Sequence, residues 1–399
     1  GLMQIDAADL TSRNSKLEPG LDLAYRYAAL PFTLQLAVEK VQPRITVDTL
    51  VDAYLQLDQL KLDAAMFCDV QRAGVFQFDV DIPAGFEVAS VTGRDLANNR
   101  DLAIDGHHLD PDAKNRLRIN LSRRALGRVC LNLTLTRTLN EPDLLTPTGK
   151  AVALDLTVPR AVGDAIERQQ GRMIVHAPEA LRIQPGELAG LRSVSVGEAL
   201  AGLDLPQRNN AGDLRPVLAY AYGQDAVDLK LDATRRQPYV VIAQLLKMQV
   251  EPGVVNYEAT FFYNIRYSGV RSLRIDVPEP LASVIRRQTP GVSESVMAPQ
   301  PDDVPAGYVA WKLVGERDFF GQGQVRFAWE QKLDKLDVGK SVDLPAPRLI
   351  PQGADRAWGQ VVLVKSETID LQPASEPKGM RRIDPQADLM PGASVKNAA

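Results

Sequence analysis

The stretch Leu23-Ala24-Tyr25-Arg26-Tyr27-Ala28-Ala29-Leu30-Pro31-Phe32-Thr33-Leu34-Gln35-Leu36 returns 195 residues later as Leu218-Ala219-Tyr220-Ala221-Tyr222-Gly223-Gln224-Asp225-Ala226-Val227-Asp228-Leu229-Lys230-Leu231. Followed without a gap from residue 23 to residue 83, the same stride gives 15 identities in 61 positions, about four times what unrelated chains of this composition share. Pro43, Phe67, Gly74, Asp81 and Pro83 recur as Pro238, Phe262, Gly269, Asp276 and Pro278. Farther on the stride shortens to 188, and the frame P-R-x7-R-x2-G-x7-E-x4-Q-P appears twice. It places Arg160, Arg168, Gly171 and Glu179 against Arg348, Arg356, Gly359 and Glu367. The lost residues fall between matched segments, where loops on a shared scaffold tolerate change. One unit has been copied.

A shorter signature occurs three times, as Ile5-Asp6-Ala7-Ala8-Asp9-Leu10, Val194-Ser195-Val196-Gly197-Glu198-Ala199-Leu200 and Ile383-Asp384-Pro385-Gln386-Ala387-Asp388-Leu389, at spacings of 189 residues. Equal spacing that agrees with the longer repeat marks the start of a third copy near residue 383. The expectation is a parent protein that continues beyond at least one end.

Apolar residues alternate within both copies, the period-2 mark of half-buried strands. Ile45, Val47, Val51, Ala53, Leu55 and Leu57 share one parity, repeated by Val240, Ile242, Leu246, Met248 and Val250. Phe78, Val80 and Ile82 run up to Pro83 as Leu273, Ile275 and Val277 run up to Pro278. Turn chemistry is predicted at Pro83-Ala84-Gly85, Pro111-Asp112 and Pro252-Gly253, with a hairpin tip at Gly321-Gln322-Gly323. Helical spacing is confined to short stretches near 163–170 and 196–203. The predicted fold is all-β, with two tandem homologous antiparallel β-sandwich modules of immunoglobulin-like type joined by a short linker. Residues 1–190 form the first module, 191–212 the linker, 213–375 the second module and 376–399 a disordered tail.

With 399 residues, 45% hydrophobic and 24% charged, the chain can bury two cores. Its formal net charge of −4 comes from interspersed residues with no long block of one sign, which argues against a nucleic-acid partner. No apolar run has the length of a membrane-spanning helix, and no membrane insertion of this segment is expected. Cys68 and Cys130 have Tyr263 and Arg326 at the matching places, so a disulfide is not part of the shared design. Two free thiols, at least one of them buried, are expected.

Chemistry-bearing residues are sparse. Of three histidines, His107 and His108 lie in a predicted loop among Asp101, Asp105, Asp110 and Asp112, a cluster that could hold a divalent cation, but its spacing fits no EF-hand or zinc pattern and a solvated acidic loop explains it better. His176 is matched by Val364 in the other copy, which points to a structural imidazole. The chain carries no G-x-S-x-G, H-E-x-x-H, C-x-x-C or P-loop motif. Asp79 and Asp81 share a strand face, but Asp79 is matched by Arg274, so a glycosidase pair is disfavoured against a solvated face. The repeated arginines Arg160, Arg168, Arg348 and Arg356 could grip a carboxylate, though ion pairs steadying a loop explain them better. Tyr25 and Tyr27, with Tyr220 and Tyr222, stand on one strand face and suit a sugar-stacking strip, a core or an inter-module contact.

The run Phe78-x-Val80-x-Ile82-Pro83 with the later Leu117-Arg118-Ile119-Asn120-Leu121 resembles the β-rich first domain of zinc aminopeptidases. That resemblance covers a fraction of one module and implies at most a non-catalytic accessory domain of a larger hydrolase. The reading is therefore a chain that is not an enzyme and needs no cofactor or metal, a tandem-repeat segment of a larger secreted or envelope-associated protein. It would serve as a spacer or interaction module whose partners are other modules of the same chain or envelope proteins. A carbohydrate- or small-ligand-binding module is the alternative.

Overall fold

The structure, a computed structural model, describes residues 2–5, 23–39, 41–113, 115–201, 213–223, 226–334, 338–374, 378–384 and 387–390, and they are nearly all β. The signature at residues 5–10 lies almost wholly outside the described residues. Strands β1 (Leu2–Ile5) and β2 (Ala24–Tyr27) form a two-stranded sheet. There follow β3 (Arg44–Leu55), β4 (Gln59–Asp81), β5 (Glu87–Asp95), β6 (Arg100–Asp101), β7 (Ile104–Leu109) and β8 (Arg116–Thr138). After the single turn α1 (Pro142–Leu145) come β9 (Ala151–Leu156), β10 (Arg160–Val162), β11 (Ile166–Pro178), β12 (Leu181–Ala189) and β13 (Leu191–Ser193). Helix α2 (Val196–Leu200) leads toward β14 (Leu214–Tyr222) and β15 (Asp228–Arg235).

The remaining strands are β16 (Tyr239–Glu251), β17 (Val254–Pro278), β18 (Arg286–Arg287), β19 (Val292–Val296), β20 (Tyr308–Lys332), β21 (Ile350–Gln352) and β22 (Arg356–Lys365), with one turn, α3 (Glu279–Ala282), after β17. A ten-stranded sheet runs β13-β14-β11-β3-β4-β8-β5-β6, with β10 on β4 and β7 on β8. A three-stranded sheet, β12-β15-β9, shares its core: Leu154, Leu156, Leu181, Leu229 and Leu231 join Val51, Leu62 and Leu133 in one apolar cluster. A seven-stranded sheet runs β18-β20-β17-β16-β22, with β19 on β20 and β21 on β17.

The copied residues make the same pairings. Antiparallel β3 and β4 set Leu50 opposite Ala65, as β16 and β17 set Leu245 opposite Thr260. In both halves a long strand carries a bulge at the matching place, between Val70 and Val75 and between Ile265 and Val270. Arg72 and Tyr267, one stride apart, take φ of 66° and 71° there. Side chains other than glycine rarely adopt that backbone, so its repetition marks a bend inherited with the unit. Gly74 sits inside the bend because an added Cβ would come within 2.9 Å of the Ala125 carbonyl.

Several expectations change. The ten- and seven-stranded sheets are mixed rather than antiparallel, since β11 runs parallel to β3 and β22 parallel to β16, while the two smaller sheets are antiparallel. A crossover causes this: β10 pairs with the far end of β4, and the chain then re-enters beside β3. The stretch 163–170 holds the start of β11 and no helix, whereas the helical spacing at 196–203 does yield α2. Gly321-Gln322-Gly323 lies within β20 opposite Ile265, Asn264 and Tyr263, so it is no hairpin tip. Arg192 and Ser193, expected in a linker, belong to β13. Met390, from the expected tail, is buried against Leu245, Val362 and Val364. Residues 202–212 and 391–399 lie outside the described residues.

The largest difference concerns ownership. Strands β14 and β15, which by sequence open the second repeat, are hydrogen-bonded into the first.

Candidate interaction site at the strand junction

Strand β14 lies between β11 and β13. Its register sets Tyr222 opposite Gly171, Tyr220 opposite Met173 and Leu218 opposite Val175 on one side, and Tyr222 opposite Leu191 on the other. The alternate tyrosines therefore share one face, and both are buried in the first core. Gly171 is what admits the ring of Tyr222: a Cβ there would fall 2.3 Å from Tyr222 Cζ and 2.6 Å from the Thr49 carbonyl. Burial pushes the Tyr222 phenol well above its ordinary range.

Strand β15 then crosses to the other layer and fills the gap between β9 and β12. Its sequence Asp228-Leu229-Lys230-Leu231-Asp232-Ala233 alternates, so that Leu229, Leu231 and Ala233 face the core while Lys230 reaches Glu187 on the solvent side, at 2.5 Å. Arg215 of β14 bonds Glu179 at 3.0 Å, so one of the repeated acids ties the incoming strand to β11.

Helix α2 closes the outer face of the junction. Ser195 Oγ accepts from the Glu198 amide at 3.1 Å, the N-cap bond expected of serine. At the other end the Arg172 guanidinium donates to the carbonyls of Ala199 and Ala201, at 3.3 and 2.6 Å. Ala199 packs on Leu50, Ile174 and Ala219. A cavity of about 300 Å³ remains beside the helix, walled in part by Asp48, Arg172, Arg192 and Glu198. Arg192 pairs with Glu198 at 3.2 Å, and two arginines face two acids, so this recess has no marked preference for one sign of charge.

The first residues of the chain repeat half of this junction. β1 and β2 set Leu2 opposite Tyr27, Met3 opposite Arg26 and Gln4 opposite Tyr25. Shifted by one repeat, these are the pairings of Leu191, Arg192 and Ser193 with Tyr222, Ala221 and Tyr220. Tyr25 is half-buried, and Tyr27 is exposed and stacked on Phe32 at 4.6 Å.

The other sequence candidates lie elsewhere. Half-buried Arg160 stands on β10 opposite Asp81, and Arg168 donates to Gln170 at 2.9 Å on the surface. Arg348 and Arg356 are exposed, the second at the start of β22. The structure thus does not gather the arginines into one pocket. Asp79 and Asp81 face Arg118 and Arg116 directly across the sheet, at 3.4 and 2.9 Å. His107 and His108 are neighbours on β7, not loop residues, and so point to opposite faces. His176 Nε2 lies 2.8 Å from Asp52 Oδ1 and its ring stacks on Tyr54, a group that Val364, Lys247 and Gln249 do not reproduce in the second repeat.

Both thiols are free, on adjacent strands of one sheet. Cys68 is opposite Val129 and Cys130 opposite Phe67, which puts them on opposite faces. Burial pushes Cys68 up to about 12 and Cys130 up to about 11, from an ordinary 9.0. A thiol raised on folding contributes stability that is complete below pH 9 and is lost as the pH climbs toward the folded value. Wild type should therefore lose more stability than Cys68→Ala between pH 9 and 10, by up to about 1.4 kcal/mol, in urea unfolding at the two pH values. Equal losses in the two proteins would contradict burial of this thiol.

The residues that matter most here include Leu229 and Leu231, which the repeat matches to Leu34 and Leu36, but nothing in their own sequence says which core they enter. Among the described residues no helix is long and apolar enough to cross a membrane, and no group of three or more metal-ligating side chains occurs. A scan against protein-family models finds no match, and a search of curated proteins finds no similar sequence.

Proposed function

We propose that this chain is a non-catalytic structural segment of tandem β-sandwich modules, whose neighbouring repeats interlock by strand donation. In a larger secreted or envelope-associated protein it acts as a spacer and as a protein-interaction module. The observation that carries this reading is the placement of β14 and β15: residues copied from the opening of one repeat complete the sheet and the cover of the repeat before it. A tether alone transmits force through one flexible connection. An inserted strand pair transmits it through a ladder of hydrogen bonds and a shared core, which suits a load-bearing array. A sugar-stacking strip draws less support, because Tyr220 and Tyr222 are buried.

The test is to cut the chain without removing anything. A protease recognition sequence placed between residues 204 and 209 allows cleavage between α2 and β14. The two pieces are expected to co-elute in native buffer and to separate only in denaturant. Pieces that part on cleavage, with both still folded by circular dichroism, would remove the basis for interlocking.

A further inference from the structure

We infer that residues Leu23–Glu39 of one copy of this chain dock on the second repeat of another copy, head to tail, with β2 beside β22 and residues 33–39 over the second core. This rests on the interlocking reading above and names its partner.

The donor is already visible in its docked form. Residues 33–39 match 228–234, and in the docked segment Leu229, Leu231 and Ala233 are 0%, 2% and 0% exposed. Their counterparts Leu34, Leu36 and Val38 are 43%, 60% and 92% exposed. Tyr27 is exposed where Tyr222 is buried. An alternating apolar run standing in water is a strand that has been built for a core and is not in one.

The acceptor shows the complementary change. In β11, Met173 and Val175 are fully buried beneath Tyr220 and its neighbours. Their counterparts in β22, Val361 and Leu363, are 36% and 50% exposed on the edge strand of the seven-stranded sheet. Gly359 keeps the place of Gly171, where the tyrosine ring sits in the first repeat. Among the described residues β9 and β12 pair with no strand but β15, and their counterparts 339–344 and 369–374 form no strand. An edge with exposed apolar side chains is a template for strand addition. The register follows from the first junction: Tyr27 opposite Gly359, Tyr25 opposite Val361 and Leu23 opposite Leu363. The acceptor's own Leu389 and Met390 already cover the outer face at Leu245, Val362 and Val364, as α2 covers Leu50 and Ile174.

Sedimentation equilibrium of the full chain from micromolar to millimolar concentration tests this. Wild type is expected to form an open series of oligomers. The donor variant Leu34→Asp/Leu36→Asp, altered in side chains already in water, should associate at least about 100-fold more weakly. The acceptor variant Val361→Asp/Leu363→Asp should do the same. Mixed in equal amounts the two variants should form a 1:1 dimer and nothing larger, because one intact donor meets one intact acceptor. Synthetic peptide 23–41 should bind wild type and the donor variant but not the acceptor variant. A wild type that stays monomeric throughout, or a donor variant that assembles like wild type, overturns the inference. Neither outcome touches the cleavage test above, which reads the internal junction alone.

Discussion

With Leu229 and Leu231 both replaced by Asp, the three-stranded sheet is expected to come apart while the seven-stranded sheet stays folded. The two leucines sit at 0% and 2% exposure in the first core, and burying each is worth about 2–3 kcal/mol. Two carboxylates in their place add the cost of desolvating charge. The sum exceeds about 5 kcal/mol, comparable with the whole stability of an ordinary domain. Since β9 and β12 hold to β15, the amides of 151–156 and 181–189 should lose protection from hydrogen exchange, while those of 239–265 keep it. The substitutions lie in residues that belong to the second repeat by sequence, yet the damage should appear in the first. Protection retained at Leu154 and Leu181 would show that the donated strand does not support the cover.

Asp276→Ala should be the more damaging of two matched substitutions. Asp276 is fully buried and accepts from Arg274 at 2.8 and 3.0 Å and from Gln352 of β21 at 2.7 Å. Removing it leaves the mostly buried Arg274 guanidinium to the exposed Asp303, 2.7 Å away, and cuts the side-chain tie to Gln352 of β21, at a cost of about 2–3 kcal/mol. Its counterpart Asp81 pairs with Arg116 at 2.9 Å on a half-open surface, where an ion pair is worth about 1 kcal/mol or less. All three tryptophans, Trp311, Trp329 and Trp358, belong to the second repeat, so indole fluorescence reports its unfolding separately. The urea midpoint read by fluorescence should fall sharply for Asp276→Ala and scarcely move for Asp81→Ala. Equal shifts would mean that burial does not set the difference between the two copies of this aspartate.

The copied unit, its strands and most of its turns can be read from the residues without coordinates. Alternation assigned Ile45 to Leu57 and Val240 to Val250 to strands, and the 195-residue stride predicted equivalences that recur in the pairings of β3 with β4 and β16 with β17. The bulges were not legible, because Arg72 and Tyr267 are residues that seldom take a left-handed backbone and give no local warning of it. For the same reason the run from Phe78 gave no sign that it continues, through the bend, the strand that begins at Gln59.

The tyrosines Tyr220 and Tyr222 could be placed on one strand face from their spacing, but their burial could not, since Tyr25 and Tyr27 have the same spacing and Tyr27 is exposed. A half-buried strand writes its period into its own residues, so its existence and its apolar face are local properties. Which edge it joins depends on what every other strand leaves uncovered. Repeat boundaries in the chain and boundaries between packed cores therefore need not coincide, and here they differ by the two strands β14 and β15.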